Sequence, residues 1–432
     1  MSVLARRIGR IGSENAFKIG PLIAEVERRG HRVIRCNLGE PDFELPDHIR
    51  EAVKQAIDDG MTHYVDPQGI LPLREAVARH ISQTRGIEVT PERVVVFPGG
   101  KPAIGLCEEA YVDPGDEVIY PSPGYPIYES FTGWVDARPV PLHLPEDKGF
   151  AFGAEELEPL ITERTKLIVL CFPSNPTGGV ATREQLEEIA EVILRKAPAD
   201  VRIYSDEIYE HILFDGARHE SIASIPGMAE RTVIASGASK SYAWTGGRVG
   251  WAVFPTVEEA EVFRNLNINY FSCVPAYNQI GCKVAIESPE TPPVIEKMVA
   301  AFQRRRDLVV PRLNEIDGMS CAMPRGAFYA FPNIAGVCER LGVFDAYAKL
   351  PDDVKAKTSP STLFQMFLLF EHHVATVDRR SFGQIGTEDK HFIRLSIANA
   401  DDELLEGVRR IADAADDREG FRRFVERGEH LF

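Results

Sequence analysis

Apolar residues return at intervals of three and four near the start of the chain. Ile19, Leu22, Ile23 and Val26 would share one face of a helix over 15–30, with Gly30 as its stop. The same spacing predicts helices over 46–58, closed by Gly60, and over 71–85, where Leu73, Val77 and Ile81 face inward. Between the helices, 33–37 reads as a short strand and 62–69 as a turn-rich segment with an exposed tyrosine, Tyr64. The pattern then changes. Unbroken β-branched and apolar runs at 93–97, 117–120, 166–172, 201–205, 231–235 and 249–254 predict strands, with helical patterns such as 101–111 and 182–195 between them. Such alternation predicts an α/β fold with a largely parallel sheet covered on both faces. Ligands of such sheets bind beyond the carboxyl ends of the strands.

A long charged-apolar helix is expected around 284–315, carrying Arg304, Arg305 and Arg306. After it the alternation loosens: strands at 328–331 and 392–397 flank helices near 334–341 and 361–372, which predicts a smaller α+β domain. The polar stretch 352–362, with Pro360, is expected to be a mobile loop, and the charged tail from Asp413 a helix. No internal repeat or low-complexity tract interrupts the chain.

Composition narrows the reading. The chain has 432 residues, too many for one ordinary core, so two or more domains are expected. A formal charge of −16 argues against nucleic acid or an anionic membrane as the main partner, though not against a locally basic pocket. The seven cysteines are scattered and form no Cys-x-x-Cys pair, which suits buried thiols in a reducing, cytoplasmic compartment and no metal site. No apolar run of about 18 residues exists to cross a membrane. Arg6, Arg7 and Arg10 lack an adjoining apolar stretch, so no secretion signal is expected; an arm packed on a partner subunit is the preferred reading, with a transit peptide as the alternative.

Polar clusters stand at the ends of the predicted strands. Lys240 follows the strand 231–235 within Ser236-Gly237-Ala238-Ser239-Lys240-Ser241, and Arg248 comes eight positions later. Walls of Tyr242, Ala243 and Trp244 would desolvate the amine and lower its pKa toward a nucleophile. Gly99-Gly100-Lys101 opens a helix, a place where backbone N–H groups approach a phosphate. Asn175, in Ser174-Asn175-Pro176-Thr177-Gly178, could aim its amide into a cleft. Asp206, in Ser205-Asp206-Glu207-Ile208-Tyr209, is costly at a sheet edge unless it meets a cation, and a protonated pyridine nitrogen is one such cation. Tyr125 could stack on a flat ring, and Arg394, a charge inside an apolar strand, could grip a carboxylate. Each has a plainer structural reading: turn, helix cap, core aromatic or salt bridge. Together they supply an amine, a ring-nitrogen acid, a stacking face, a phosphate cradle and a carboxylate clamp, the requirements of pyridoxal phosphate chemistry.

In this order the motifs Asn175-Pro176-Thr177-Gly178, Asp206-Glu207-Ile208-Tyr209 and Ser239-Lys240 followed by Thr245-Gly246-Gly247-Arg248 resemble the fold type I, pyridoxal-phosphate-dependent class I/II aminotransferases. The prokaryotic aspartate aminotransferase branch is the nearest in pattern, from Leu38-Gly39-Glu40-Pro41-Asp42-Phe43 to Ile393-Arg394-Leu395-Ser396. The resemblance implies a seven-stranded, mostly parallel sheet in a large domain (48–290). A small domain would be built from both termini (1–47, including an N-terminal arm, and 291–432). Lys240 would bind the cofactor covalently and shuttle the proton. Asp206 would hold the ring nitrogen protonated, Tyr209 and Asn175 would bind the ring's O3′ oxygen, and Tyr125 would stack on the ring. Gly100, Lys101, Ser236, Ser239 and Arg248 would hold the phosphate, with Tyr64 arriving from the other subunit of an obligate homodimer. Arg394, Gly39 and Asn175 would bind the substrate α-carboxylate, and Lys101 could read a distal carboxylate.

Departures from the family pattern bear on the substrate. Gly247 and Tyr125 stand where tryptophan is common, Gly237 where other branches carry a serine, and Asp378-Arg379 where Pro-Gly is usual. Arg379 and Arg380 could serve an acidic side chain or pair with Asp378 at the surface. The expected reaction is ping-pong transfer of an amino group between an L-amino acid, aspartate or glutamate by preference, and a 2-oxo acid. An aromatic, alanine or prephenate aminotransferase and a C–S β-lyase remain open. A non-enzymatic cofactor-binding regulator would need a DNA-binding partner domain, and the N-terminal 35 residues are too short for one.

Overall fold

The first strand, β1 (Ile34–Arg35), pairs in parallel with a strand from the far end of the chain. Seven strands come after it: β2 (Val94–Phe97), β3 (Glu117–Ser122), β4 (Arg138–His143), β5 (Thr165–Cys171), β6 (Arg202–Asp206), β7 (Thr232–Gly237) and β8 (Gly250–Val253). They form one sheet in the order β2-β8-β7-β6-β5-β3-β4, in which β8 alone runs against its neighbours. The computed structural model from which this is read describes residues 3–12 and 14–432; Met1, Ser2 and Ser13 of the expected arm lie outside the described residues.

The unbroken apolar runs follow from two-sided burial. In β5, Leu167, Val169 and Cys171 pack with Ile104 and Phe263 of the helices Lys101–Tyr111 and Val257–Tyr270. Ile168 and Leu170, one residue out of phase, pack with Ile189 and Ile193 of the helix Arg183–Lys196. Each such side chain, fully buried, contributes about 1.5–3 kcal/mol. Because β2, β3, β5, β6 and β7 share a direction, their carboxyl ends open onto one edge of the sheet.

The remaining strands are β9 (Tyr329–Ala330), β10 (Val374–Ala375), β11 (Val377–Asp378) and β12 (Ile393–Ser396). β10 pairs β1, and β11, β12 and β9 form an antiparallel sheet in that order. One apolar core joins Ile23 and Ile34 near the amino end to Phe364, Leu368 and Ile411 near the carboxyl end. The two ends of the chain therefore stabilise each other.

Three expectations need correction. β4 contains Pro139 and Pro141 and gave no strand signal; it lies at the sheet's edge, where a missing N–H breaks no ladder. The helix expected over 284–315 is two helices, Ala276–Glu287 and Thr291–Asn314, the second beginning with Pro292 and Pro293 in its first turn. The stretch 352–362 is not a loop: it holds the short helix Asp352–Lys355, and Pro360 opens the helix Pro360–Glu371, capped by Ser359 Oγ accepting from the Thr362 amide at 3.1 Å.

Candidate active site

The sheet edge carrying these carboxyl ends borders a cavity of about 520 Å³. Gly39, Gly100, Lys101, Tyr125, Asn175, Asp206, Tyr209, Ser236, Ser239, Lys240, Arg248 and Arg394 all line it. Tyr64 does not; it is 88 % exposed on this single chain.

Lys240 lies in the short helix Ala238–Ser241 that follows β7. Its Nζ donates to the Gly39 carbonyl at 2.5 Å. Burial, then the nearby Arg394 charge, push the amine down to about 8. Gly39 cannot take a side chain here, since a Cβ would meet Tyr329 Oη at 2.2 Å.

Asp206 ends β6. It accepts from Tyr128 Oη at 2.7 Å and from the Ile208 amide at 3.3 Å. Among the described residues it has no ion pair, and burial pushes its carboxyl up to about 6. A cation opposite it would restore its charge. The next residue, Glu207, points the other way, to Arg85 at 2.7 Å, and is held down at about 2 despite burial, by Arg85 and His219.

Arg394, on β12, is buried but has no carboxylate partner among the described residues, contrary to the plainer reading of a structural salt bridge. Its Nη1 donates to Asn175 Oδ1 at 2.9 Å and its Nη2 to the Asn37 carbonyl at 2.5 Å. The guanidinium lies over the rings of Tyr329 and Phe382, with its Nε buried and unpartnered. A buried cation with a spare donor is a receptor for an anion.

Gly99 and Gly100 turn the chain from β2 into the helix Lys101–Tyr111. Gly99 has φ +92°, and a Cβ on Gly250 would come within 2.4 Å of the Gly99 carbonyl carbon, so glycine is required at both positions. The amides at the helix start, Ser239 and the exposed Arg248 side chain border the same corner of the cavity. Ser236 borders it too, but its hydroxyl donates to Glu210 Oε1 at 2.8 Å, which commits its one proton away from the corner. Tyr209 Oη is 2.7 Å from Tyr329 Oη.

Two expected residues lie elsewhere. Arg379 is buried and spends its guanidinium on the Phe382 and Gly383 carbonyls and on Ser122 Oγ at 2.8 Å. Arg380 donates to the carbonyls of Thr358 at 2.9 Å and Ala356 at 2.6 Å. Neither lines the cavity, and neither pairs with Asp378, which bonds Thr362 and Ser381 instead. Other residues line the cavity without a sequence signal that marked them, Tyr128, Tyr329 and Glu14 among them. Tyr128 lies in the first turn of the helix Ile127–Trp134, three positions after Tyr125. Tyr329 sits inside an aromatic strand, and Glu14 in an arm without periodicity.

On chemistry alone the residues fit pyridoxal phosphate: a buried acid awaiting a cation, an amine shifted toward its neutral form, and amides converging at a helix start. Comparison with known proteins bears this out. Residues 32–411 match the family described as aminotransferase class I and II. The aspartate/prephenate aminotransferase of Cereibacter sphaeroides (strain ATCC 17029 / ATH 2.4.9) is 35 % identical over 412 residues, 95 % of this chain and 98 % of that protein. The solved aspartate aminotransferase of Rhizobium meliloti superposes with a TM-score of 0.85 at 35 % identity, covering 96 % of this chain and 99 % of that one. The alanine aminotransferase of Pyrococcus furiosus superposes at 0.83 with 28 % identity, over 96 % of this chain and all of that one (100 %). The chain therefore belongs to the class I and II aminotransferases, pyridoxal-phosphate-dependent transaminases of fold type I.

Proposed function

We propose that this enzyme exchanges an amino group between aspartate or glutamate and a 2-oxo acid by a ping-pong route, acting as a cytoplasmic homodimer. The observation that carries the substrate side is Arg394, a buried guanidinium without a carboxylate partner among the described residues, lining the same cavity as the Lys240 amine. Relatives named aspartate or aspartate/prephenate aminotransferase support the acidic pair.

Bound pyridoxal phosphate supplies an electron-withdrawing ring on which the amino group is carried. In our reading Asp206 keeps the ring nitrogen charged, Tyr209 and Asn175 donate to the ring's O3′ oxygen, and Tyr125 covers one face. The Gly100 and Lys101 amides, Ser239 and Arg248 hold the phosphate, with Ser236 beside them. Tyr64 reaches it from the second subunit; its 88 % exposure, and the exposed Ile268 and Tyr270 of the helix tied to Asp66 through Arg264, suit a face that a second copy covers. Arg394, Gly39 and Asn175 orient the substrate α-carboxylate so that its α-proton faces Lys240. The Lys240 amine, pushed down to about 8 and so partly neutral at that pH, would take that proton and hold it for return. Lys101 reads the distal carboxylate. Division of the chain into 1–47 with 291–432 and 48–290 is supported by the core shared between its ends. Seven unpaired cysteines suit a reducing compartment, and among the described residues no helix is long and apolar enough to cross a membrane.

The test is a set of half-reactions: the loaded enzyme is mixed with single amino acids and loss of the cofactor's aldehyde absorbance is followed. Aspartate and glutamate should react fastest. Fast reaction with alanine or phenylalanine and none with aspartate would remove the acidic assignment.

A further inference from the structure

Resting on that reading, one feature of the cavity works against an acidic substrate. Glu14, in the arm that precedes the helix Asn15–Lys18, turns its carboxylate into the cavity, where only 14 % of the side chain is exposed. There it pairs with the Lys101 ammonium and accepts from Tyr125 Oη at 2.8 Å. The segment around it is fixed at several points. The Gly12 amide donates to Ser130 Oγ at 2.7 Å, Asn15 Nδ2 to Ser381 Oγ at 2.8 Å, and Asn37 Nδ2 to the Ala16 carbonyl at 3.0 Å. Gly12 is thus tied to the helix Ile127–Trp134 and Asn15 to the 3₁₀ turn Arg379–Phe382, on either side of Glu14.

We propose that Glu14 limits how far this site favours dicarboxylic substrates: its carboxylate occupies the place at Lys101 that a dicarboxylic substrate's distal carboxylate would enter. The chemistry is that of competition between like anions for one ammonium. Arg380 and Arg379 offer no replacement cation, being spent on backbone carbonyls outside the cavity. A dicarboxylate must displace Glu14 from both Lys101 and Tyr125 or bind beside an uncompensated negative charge. A substrate whose side chain is neutral does neither. Glu14 therefore penalises aspartate and glutamate relative to neutral amino acids, and the arm that bears it sets how broad the substrate range is. Lys101 is 43 % exposed, but Glu14 is only 14 % exposed and also holds Tyr125, and breaking both contacts corresponds to about tenfold in dicarboxylate affinity.

The test separates this proposal from the substrate reading by using non-reacting probes. Succinate and butyrate have the same chain length and differ by one carboxylate. Their dissociation constants are measured by calorimetry on the cofactor-loaded wild type, Glu14→Gln and Glu14→Ala. The preference for succinate over butyrate should rise about tenfold in both variants, and adding Lys101→Met to Glu14→Gln should abolish the gain. A succinate preference within twofold of wild type in both Glu14 variants would overturn the proposal, as would a gain that survives Lys101→Met. Should wild type fail to turn over aspartate while the Glu14 variants gain succinate binding, the acidic substrate assignment falls and the role of Glu14 stands. Aspartate turnover with an unchanged preference refutes Glu14 alone.

Discussion

Asp206→Asn tests the electrostatic logic of the site through stability rather than activity. In protein stripped of cofactor, burial holds the Asp206 carboxyl at about 6, against an ordinary value of 3.8. The folded chain thus keeps this proton over a range of pH in which the unfolded chain has lost it. By linkage, stability falls as pH rises from about 4 to about 6 and is level above, where the cost amounts to about 3 kcal/mol. An asparagine carries no charge and removes that slope. It also has one acceptor where the carboxylate serves both Tyr128 Oη and the Ile208 amide, so a constant loss of about 1–2 kcal/mol is expected at every pH. The variant should therefore be less stable than wild type below pH 4 and equal or more stable at pH 7, the difference moving by about 3 kcal/mol in between. Urea unfolding of both stripped proteins across this range measures it, and other carboxylates cancel in the difference. Saturating pyridoxal phosphate should reverse the order at pH 7, because a ring cation rewards the carboxylate and not the amide. A stability difference independent of pH, or equal stabilisation of the two proteins by cofactor, would refute the argument.

Arg85→Met leaves Glu207 and Glu210 buried without their cation and should cost about 3–5 kcal/mol at pH 7, read by urea unfolding. Because Glu207 is held at about 2 against 4.5, the wild-type contribution is complete above the ordinary value and lost as pH falls through the folded one, so the variant's deficit should shrink in acid. Stripped enzyme should take up pyridoxal phosphate with a pH midpoint near 8, the Lys240 value, while Lys240→Ala stays folded and takes up none covalently. Arg394→Met should move that midpoint upward and raise the KM for amino acids about a hundredfold; an unmoved midpoint would mean Arg394 does not act on the amine. Tyr64→Phe should weaken cofactor retention about tenfold although the side chain is exposed on one chain, and unchanged retention would argue against a shared site.

How far a residue's position can be read from sequence depends on whether the forces that place it are local. The carboxyl-end residues Lys240, Asp206, Asn175 and the Gly99–Gly100 turn were legible because a two-sided buried strand announces itself, and the residues just past its end must lie at the sheet edge. Strand β4 was not, because its two prolines obey an edge position that only the assembled sheet defines. The proline at 360 marks a helix start or a loop with equal justice until Ser359 is seen to cap it. Arg379 looked like a free guanidinium at a substrate loop. Its partners are backbone carbonyls and Ser122, 257 residues distant in sequence, which no local pattern records. Glu14 was silent for the same reason: its partners Lys101 and Tyr125 are brought to it by the fold.

The segment Asp206-Glu207-Ile208-Tyr209-Glu210 carries three carboxylates, yet only one is left without a cation. Successive residues of an extended strand face opposite sides of the sheet, so Asp206 and Glu207, at the end of β6, cannot share an environment. Glu207 is delivered to the face packed by the helix Leu71–Arg85, where Arg85 Nε and Nη2 meet its Oε2 at 2.9 and 2.7 Å. Glu210 reaches the same guanidinium at 2.5 Å, and His80 as well at 3.1 Å. Arg85 thereby engages both carboxylates behind the cavity. Had they stayed uncompensated, they would have repelled a phosphate at the Ser236 corner and raised Asp206 further. With Glu207 and Glu210 satisfied, the unmet demand in this segment is a single cation on the cavity side, at Asp206. Local alternation in one strand thus separates a carboxylate paired with Arg85 from one left facing the cavity, adjacent in sequence and opposite in surroundings.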